Sequence, residues 1–251
     1  MESDPEAQIL SAAKLLPISE SDPGDIFIAG YPRSGNTWMQ YLIAGVTLGL
    51  DVRLTPDSLV QALIPDVHST RFYRRFATPT FIKTHHLPRA EYRRVIFLVR
   101  DGRDAMVSYF HFLAVLGNLQ DPLTLVKTGE GLFPCRWHEH VEAWLANPYG
   151  AEMIMVRYEM LMEDTVNELR RICDFAGLVR ERSLLERISQ QSTFEAMRER
   201  ERKLGWVGSW PKDKAFVRRG IIGSFKDEMS ESILQAFMEF SRSALSRLGY
   251  L

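Results

Sequence analysis

The chain contains an apolar run that leads directly into a glycine-rich loop: Ile26-Phe27-Ile28-Ala29-Gly30-Tyr31-Pro32-Arg33-Ser34-Gly35-Asn36-Thr37. The four apolar residues predict a buried strand, and the apolar stripe along residues 37–48 predicts a helix. A strand, a glycine-rich loop and a helix in this order form a cradle whose backbone N–H groups bind phosphate. The stretch therefore predicts a phosphate-binding loop at the end of a buried strand.

The loop departs from the phosphate loop of nucleoside triphosphatases, GxxxxGK[ST], at a position that matters for its chemistry. Gly30, Gly35 and Thr37 match that pattern, but Asn36 occupies the place of the lysine that reaches the β- and γ-phosphates. A cation comes earlier in the loop, as Arg33. A nucleotide kinase or triphosphatase on the same scaffold remains an alternative function, as does a non-catalytic module that binds a nucleotide.

Metal ligands are missing from the place where a nucleoside triphosphatase carries them. The apolar run at residues 95–99 predicts a strand, and Arg100 follows it where the Mg²⁺-binding aspartate is expected. The chain has two cysteines, Cys135 and Cys173, and neither belongs to a CxxC pair. We therefore predict a site that holds phosphate with cations alone, and no metal.

Short apolar runs alternate with helical patterns along the chain. Besides residues 26–29, strands are predicted at 80–83, 95–99 and 153–156, and helices at 37–48, 104–116 and about 162–175. Strands that are apolar throughout are typical of a parallel sheet covered by helices on both faces. We therefore predict an α/β fold, with a polar N-terminal lead-in at residues 1–24 and a single domain at residues 25–251. Ligands of such sheets bind beyond the C-terminal ends of the strands.

The composition is that of an ordinary globular protein. Of the 251 residues, 45% are hydrophobic and 25% are charged, and 31 Lys and Arg against 32 Asp and Glu give a net charge of −1. This composition excludes a disordered chain, and the missing basic excess disfavours a general nucleic-acid binder. No apolar run is long enough to span a bilayer and the first residues are acidic, so we predict a cytoplasmic protein that binds neither nucleic acid nor membrane. A trimmed form of a membrane-anchored protein is the alternative. The alternating charges at residues 198–203 are interpreted as a solvated helix face.

Six segments, in order along the chain, resemble the cytosolic-type sulfotransferases. The first, residues 31–38, resembles their 5′-phosphosulfate loop, although that family usually has Lys in place of Arg33 and Thr in place of Asn36. Residues 81–85 resemble the family's Lys-Thr-His strand end, and residues 100–112 resemble its 3′-phosphate segment. Residues 158–159 resemble its tyrosine–acidic pair, residues 192–197 its Thr-Ser-Phe segment and residues 216–223 its Arg-Lys-Gly signature.

The resemblance implies a sulfuryl donor, 3′-phosphoadenosine 5′-phosphosulfate (PAPS), and a set of residues that bind it. Arg33 would stabilise the leaving 5′-phosphate, Arg100 and Ser108 would bind the 3′-phosphate, and aromatic side chains would hold the adenine. The residues expected to bind the donor are Arg33, Ser34, Gly35, Asn36, Thr37, Trp38, Arg100, Ser108, Tyr158, Thr193, Phe194, Val217, Arg218, Arg219 and Gly220.

His85 is the general base that the resemblance selects. An imidazole titrates near neutral pH, and Lys83, two residues earlier in a strand, projects to the same face as His85. The neighbouring His86 points the opposite way and stays the alternative base. Lys83 and Arg33 are the other predicted catalytic residues.

The acceptor is predicted to be a small molecule that carries a hydroxyl or an amine, and the sequence does not identify it further. The family's short C-terminal dimer motif would fall near residues 226–235, where Glu231 replaces a Val and Gln235 replaces a Glu. We therefore expect a monomer or a weak homodimer.

Overall fold

The computed structural model describes residues 10, 12–118, 120–206 and 210–251. Four parallel strands form the central sheet: Ile26–Gly30 (β2), Phe81–Thr84 (β4), Arg94–Val99 (β5) and Glu152–Arg157 (β6). Their order in the sheet is β4–β2–β5–β6, so the phosphate loop after β2 is flanked by the ends of two neighbouring strands. A second, antiparallel sheet joins Leu16–Pro17 (β1) to Phe72–Tyr73 (β3).

Helices connect and cover these strands. In the described part of the chain they include Asn36–Leu48 (α1), Asp57–Leu63 (α2), Gly102–Val115 (α3), Pro122–Thr128 (α4), Trp137–Ala146 (α5), Tyr158–Glu163 (α6), Thr165–Ala176 (α7), Arg182–Gln191 (α8), Phe194–Leu204 (α9), Phe225–Glu228 (α10) and Glu231–Arg247 (α11). Side-chain caps fix two of the helix starts that border the site. Asp101 accepts a hydrogen bond from the backbone N–H of Arg103 at the start of α3, and Thr193 accepts one from Ala196 at the start of α9.

Both faces of the central sheet are buried, and β2 shows the alternation that this requires. Phe27 and Ala29 point into a core cluster shared with α3, α5 and α11. Ile26 and Ile28 point the other way, into a cluster shared with α1, α7 and α8. Because successive side chains of a strand point to opposite faces, only a strand that is apolar throughout suits this central position.

The predicted α/β fold, a parallel sheet between helices, is confirmed. The predicted strands and helices match the observed ones to within two residues at each end, except that the helix predicted at about 162–175 is divided into α6 and α7. The division falls at Asp164, whose side chain accepts a hydrogen bond from the backbone N–H of Asn167 and so begins a new helix.

The predicted lead-in at residues 1–24 lies partly outside the described residues, which begin at residue 10. Within it, Leu16 and Pro17 pair with Tyr73 and Phe72 across the small antiparallel sheet. The two cysteines are free thiols. Among the described residues, no helix is long and apolar enough to cross a membrane.

The C-terminal ends of the central strands lie along one edge of the sheet. β2 ends at Gly30, and the residues that follow β4, β5 and β6 are His85, Arg100 and Tyr158. This edge is where ligands of parallel sheets bind. His85, Arg100 and Tyr158 are predicted site residues, and Gly30 begins the predicted phosphate loop.

Candidate active site

In the phosphate loop, Asn36 stands in place of the usual lysine and makes a hydrogen bond within the loop. The Nδ2 atom of Asn36 donates a hydrogen bond to the carbonyl oxygen of Tyr31 at 2.9 Å. Gly30 allows this closure, since a Cβ atom there would come within 2.5 Å of Asn36 Oδ1. Gly35, at the turn into α1, has a φ of 96°, in the left-handed region that favours glycine. Asn36 therefore braces the loop across its base.

A cavity of about 500 Å³ opens above this loop. Most of the residues predicted to bind the donor line it: Arg33, Gly35, Asn36, Thr37, Trp38, Arg100, Ser108, Tyr158, Phe194, Val217, Arg218, Arg219 and Gly220. The predicted catalytic residues Lys83 and His85 also line it. His86 is not among the lining residues. The structure thus gathers residues from six separate segments of the chain around one space.

Two predicted donor-binding residues do not reach the wall of this cavity. The side chain of Ser34 is fully buried beneath the loop, and its backbone N–H donates to the carbonyl oxygen of Tyr31 at 3.2 Å. Thr193 uses its hydroxyl to cap α9. Both residues therefore shape the elements around the cavity.

The charge of the cavity wall is one-sided. Arg33, Arg100, Arg218, Arg219 and Lys83 line it, and no carboxylate lines it among the residues that the structure describes. Burial, together with the positive charges of Arg100 and Arg218, lowers the pKa of Arg33 to about 10. Cations that are crowded and desolvated in this way are stabilised by a bound anion.

Arg33 is held between two aromatic rings. Its guanidinium carbon lies 5.1 Å from the ring centre of Phe112 and 4.6 Å from that of Phe216. Its Nε atom donates a hydrogen bond to Ser108 Oγ at 3.2 Å. A guanidinium has five N–H donors, so this bond leaves the group able to contact an anion. The residues predicted for the two phosphates of the donor are thereby in direct contact.

Arg100 is anchored by backbone carbonyl oxygens. Its Nη1 atom donates to the carbonyl of Arg33 at 3.1 Å and its Nη2 atom to that of Ile221 at 3.4 Å, while the guanidinium covers the Tyr158 ring at 4.5 Å. Its Nε atom is buried and has no hydrogen-bond partner among the described residues. A buried, unsatisfied donor on a cation marks a place for an acceptor oxygen.

A carboxylate that sequence reasoning missed holds the two remaining arginines. Glu228 accepts hydrogen bonds from Arg218 at 2.5 Å, from Arg219 at 2.8 Å and from His111 Nε2 at 2.8 Å. Burial alone would raise the pKa of Glu228, but the hydrogen bonds from Arg218 and His111 outweigh it and bring the pKa to about 2. Glu228 lies within residues 226–235, which were compared only with the family's dimer motif, and that comparison gave no signal for this contact.

The adenine residues predicted from the sequence form an aromatic wall. Trp38 lies 5.8 Å from Tyr158 between ring centres, and its indole Nε1 donates to the carbonyl oxygen of Ser192 at 2.9 Å. Phe194 lies against Gly220, which has a φ of 59° and where a Cβ atom would come within 2.4 Å of the Phe194 ring. Gly220 is therefore required for the loop that carries Arg218 and Arg219 to pass over this ring.

The ring of His85 is fixed by the phosphate loop. Its Nδ1 atom lies 2.6 Å from the carbonyl oxygen of Gly30. Because a carbonyl only accepts, Nδ1 carries the proton and Nε2 of the neutral ring is left as the basic atom. Burial, and then the charge of Lys83, lower the pKa of His85 to about 3, so the ring is neutral at physiological pH.

Lys83 is paired with a second carboxylate that the sequence did not reveal. Its Nζ atom lies 2.7 Å from Asp66 Oδ2, and both side chains are largely buried. Burial opposes ionisation of Asp66, but attraction to Lys83 and the hydrogen bond from it lower the pKa of the carboxyl. Asp66 lies 17 positions before Lys83, outside every motif considered.

His86 and His68 complete the surroundings of His85. The Nδ1 atom of His86 lies 2.7 Å from the hydroxyl of Tyr92, and the two rings are stacked. His68 Nε2 accepts a hydrogen bond from the backbone N–H of His85 at 2.9 Å, and its ring stacks on that of His85 with 5.4 Å between centres. His68 also lines the cavity, as His85 does.

Comparison with known proteins shows the family of the chain. The sulfotransferase domain family matches residues 23–249. The chain belongs to the sulfotransferase family. Among relatives of this sulfotransferase, Sulfotransferase 1C2 of Homo sapiens is 25% identical over 247 residues, covering 89% of this chain and 83% of the relative. Cytosolic sulfotransferase 1 of Danio rerio is 28% identical over 250 residues, covering 88% and 82%.

A solved structure shares the fold of this sulfotransferase. Mouse sulfotransferase SULT7A1, complexed with PAP, superposes with a TM-score of 0.68 at 20% identity, covering 92% of this chain and 87% of that one. The family resemblance predicted from the six sequence segments is confirmed. Family membership also decides between an enzyme and a non-catalytic binding module: the chain is a sulfotransferase, and the kinase alternative is wrong.

Proposed function

We propose that this sulfotransferase moves the sulfuryl group of PAPS to a hydroxyl or amine of a small-molecule acceptor, with His85 as the general base. The observation that carries the proposal is the cavity wall, where arginines and a lysine meet with no carboxylate among the described lining residues. A donor with a 3′-phosphate and a 5′-phosphosulfate has the anionic groups that such a wall requires.

The donor residues divide by the phosphate that each would contact. Arg100, with its unsatisfied Nε atom, and Ser108 would hold the 3′-phosphate, together with Arg218 and Arg219 once these leave Glu228. The N–H groups at the start of α1 would hold the 5′-phosphosulfate, since the first of them to donate within the helix is that of Met39, to Gly35. The PAP bound by mouse SULT7A1 supports this choice of donor.

The proposed reaction is a single displacement at sulfur. The acceptor oxygen or nitrogen forms a bond to sulfur while the bond from sulfur to the bridging phosphate oxygen breaks, and its electron pair stays on the phosphate. The acceptor proton passes to Nε2 of His85. A positioned base of this kind contributes about 10²–10⁴-fold to the rate. Lys83 would stabilise the sulfuryl and bridging oxygens, and Arg33 the charge on the leaving phosphate.

The acceptor end of the cavity would be apolar. Phe133 meets the ring of His68, the neighbour of His85, edge-on at 5.1 Å, and Phe112 and Trp206 also line the cavity. Beyond the catalytic cations the described lining offers this end little charge, which favours a hydroxyl or amine on an uncharged carrier over a charged acceptor.

A direct assay tests the proposal. The full chain is incubated with PAPS and one acceptor at a time from four classes: 2-naphthol, cyclohexanol, aniline and glucose. Release of 3′,5′-adenosine bisphosphate (PAP) above the acceptor-free rate, unchanged by a chelator of divalent metals, is the expected result. An absolute requirement for added metal, or no release with any acceptor, would contradict the proposal.

Metal independence, location and assembly stay predictions from the sequence. The described residues contain no group of His, Cys, Asp and Glu side chains placed to hold a metal ion. The chelator arm of the assay tests metal independence directly. The cytoplasmic location and the monomeric or weakly dimeric state need measurements of their own.

A further inference from the structure

The segment before β3 runs beside the end of β4 and places Asp66 against Lys83. The backbone N–H of Lys83 donates to the carbonyl oxygen of Pro65 at 2.8 Å, and the N–H of Val67 donates to the carbonyl oxygen of Lys83 at 3.0 Å. These two bonds form a parallel bridge between Asp66 and Lys83. The bridge fixes the two residues side by side on neighbouring stretches of backbone.

The two carboxylate oxygens of Asp66 have different partners. Oδ2 accepts from Lys83 Nζ at 2.7 Å, and Oδ1 accepts from the backbone N–H of His68 at 2.9 Å. The carbonyl oxygen of Asp66 also accepts from the N–H groups of Ser69 and Thr70. One buried carboxylate therefore holds a catalytic cation with one oxygen and the turn that carries His68 with the other.

That turn leads back to the proposed base. His68 accepts the backbone N–H of His85 and stacks on its ring, so the turn braces the strand end from which His85 projects. Asp66 itself does not line the cavity, whereas Lys83, His68 and His85 all do. Its position is behind the reacting groups, in contact with their partners.

We infer that Asp66 is a positioning residue for sulfuryl transfer. From outside the cavity it holds the Lys83 ammonium in the direction of the sulfuryl group. This inference rests on the proposed function. An ammonium has three N–H donors, and the bond to Asp66 uses one, which leaves two for the sulfuryl group. A lysine side chain is flexible, and misplacement of a catalytic group by about 1 Å costs about 10²-fold in rate.

Asp66→Asn isolates this link. The new side chain keeps an oxygen for the N–H of His68 but presents an amide N–H to Lys83, which cannot accept from an ammonium. The expected result is a loss of kcat of about tenfold to a hundredfold, with the Kd for PAP changed by less than about twofold. Turnover is measured with PAPS and the acceptor of the four-class panel that gives the highest rate.

Asp25→Asn is the matched control. Asp25 is a buried carboxylate in an ion pair, 2.7 Å and 2.5 Å from the guanidinium of Arg75, at the opposite edge of the sheet just before β2. The Asp25→Asn substitution should lower the melting temperature, because it breaks a buried ion pair, without a selective loss of kcat in the folded protein. Equal kcat losses in the two variants would overturn the positioning role.

A double-mutant cycle with Lys83→Met keeps the test decisive if Asp66→Asn folds poorly. If Asp66 acts through Lys83, adding Asp66→Asn to Lys83→Met changes kcat by less than about twofold. An undiminished further loss would overturn the inference. His85→Ala separates the two proposals: retained turnover there contradicts His85 as the base, whereas retained turnover in Asp66→Asn alone contradicts only the role of Asp66.

Discussion

The Nδ1 atom of His85 lies 2.6 Å from the carbonyl oxygen of Gly30, the residue that opens the phosphate loop. The contact joins the end of β4 to the end of β2, which are neighbours in the sheet. It leaves Nε2 as the basic atom and ties its direction to the loop that would hold the phosphosulfate. The base and the donor site are therefore positioned by the same stretch of backbone.

The first prediction concerns pH. His85 acts as a base only when Nε2 is unprotonated, and its pKa of about 3 keeps it so until the solution is strongly acidic. With saturating PAPS, kcat/KM for an uncharged acceptor should be flat from roughly pH 5 to pH 8, and should fall only as the pH approaches about 3. A loss of half the activity near pH 6.5, the ordinary histidine value, would contradict this environment for His85.

The second prediction concerns Arg100. Arg100→Ala removes a cation and a donor that has no partner among the described residues, so the Kd for PAP should rise by at least about tenfold. Adenosine 5′-monophosphate, which lacks the 3′-phosphate, should lose much less affinity. Arg94→Ala is the control. Arg94 is the first residue of β5, the strand that Arg100 follows, so it lies at the opposite edge of the sheet, where it pairs with Glu152. Calorimetric titrations that show equal losses for both nucleotides would refute the 3′-phosphate role.

The third prediction concerns Glu228. Its carboxylate occupies the guanidinium groups of Arg218 and Arg219, which the 3′-phosphate would have to take over. Glu228→Gln should therefore tighten PAP binding by about threefold to tenfold and leave adenosine 5′-monophosphate unchanged. Glu139→Gln, which weakens a comparable pair with Arg136, should change neither. Weaker PAP binding in Glu228→Gln would mean that the carboxylate orders the arginines rather than competing for them.

Local sequence patterns predicted the strands, the phosphate loop and the edge of the sheet where the strand ends meet. The apolar strand 26–29, the glycine-rich loop and the helix after it are set by neighbouring residues, and parallel sheets bring strand ends together at one edge. His85 and Lys83 were likewise predicted to share a face, and both line the cavity. Residues near each other in the sequence were therefore the ones whose places could be expected.

Contacts between distant segments were beyond such reasoning. Asp66 and Glu228 owe their partners to loops whose paths no local pattern encodes. The interpretation of residues 198–203 as a solvated face was wrong for Arg200, which is 1% exposed. Its guanidinium lies over the rings of Tyr41 and Trp206 and its Nε donates to the carbonyl oxygen of Thr55. Alternating charge indicates polarity but not which member of the run a neighbouring segment will cover.

The most direct test of His85 as the base compares two adjacent histidines. In His85→Ala, PAP should bind with a Kd within about twofold of the parent, while kcat with the best panel acceptor should fall by about 10²–10⁴-fold. In His86→Ala, whose ring faces Tyr92 outside the cavity, kcat should stay within about fivefold of the parent. Calorimetry for PAP and initial rates of PAP release measure both quantities on the same preparations. An inactive His86→Ala beside an active His85→Ala, or full turnover in both, would contradict the account.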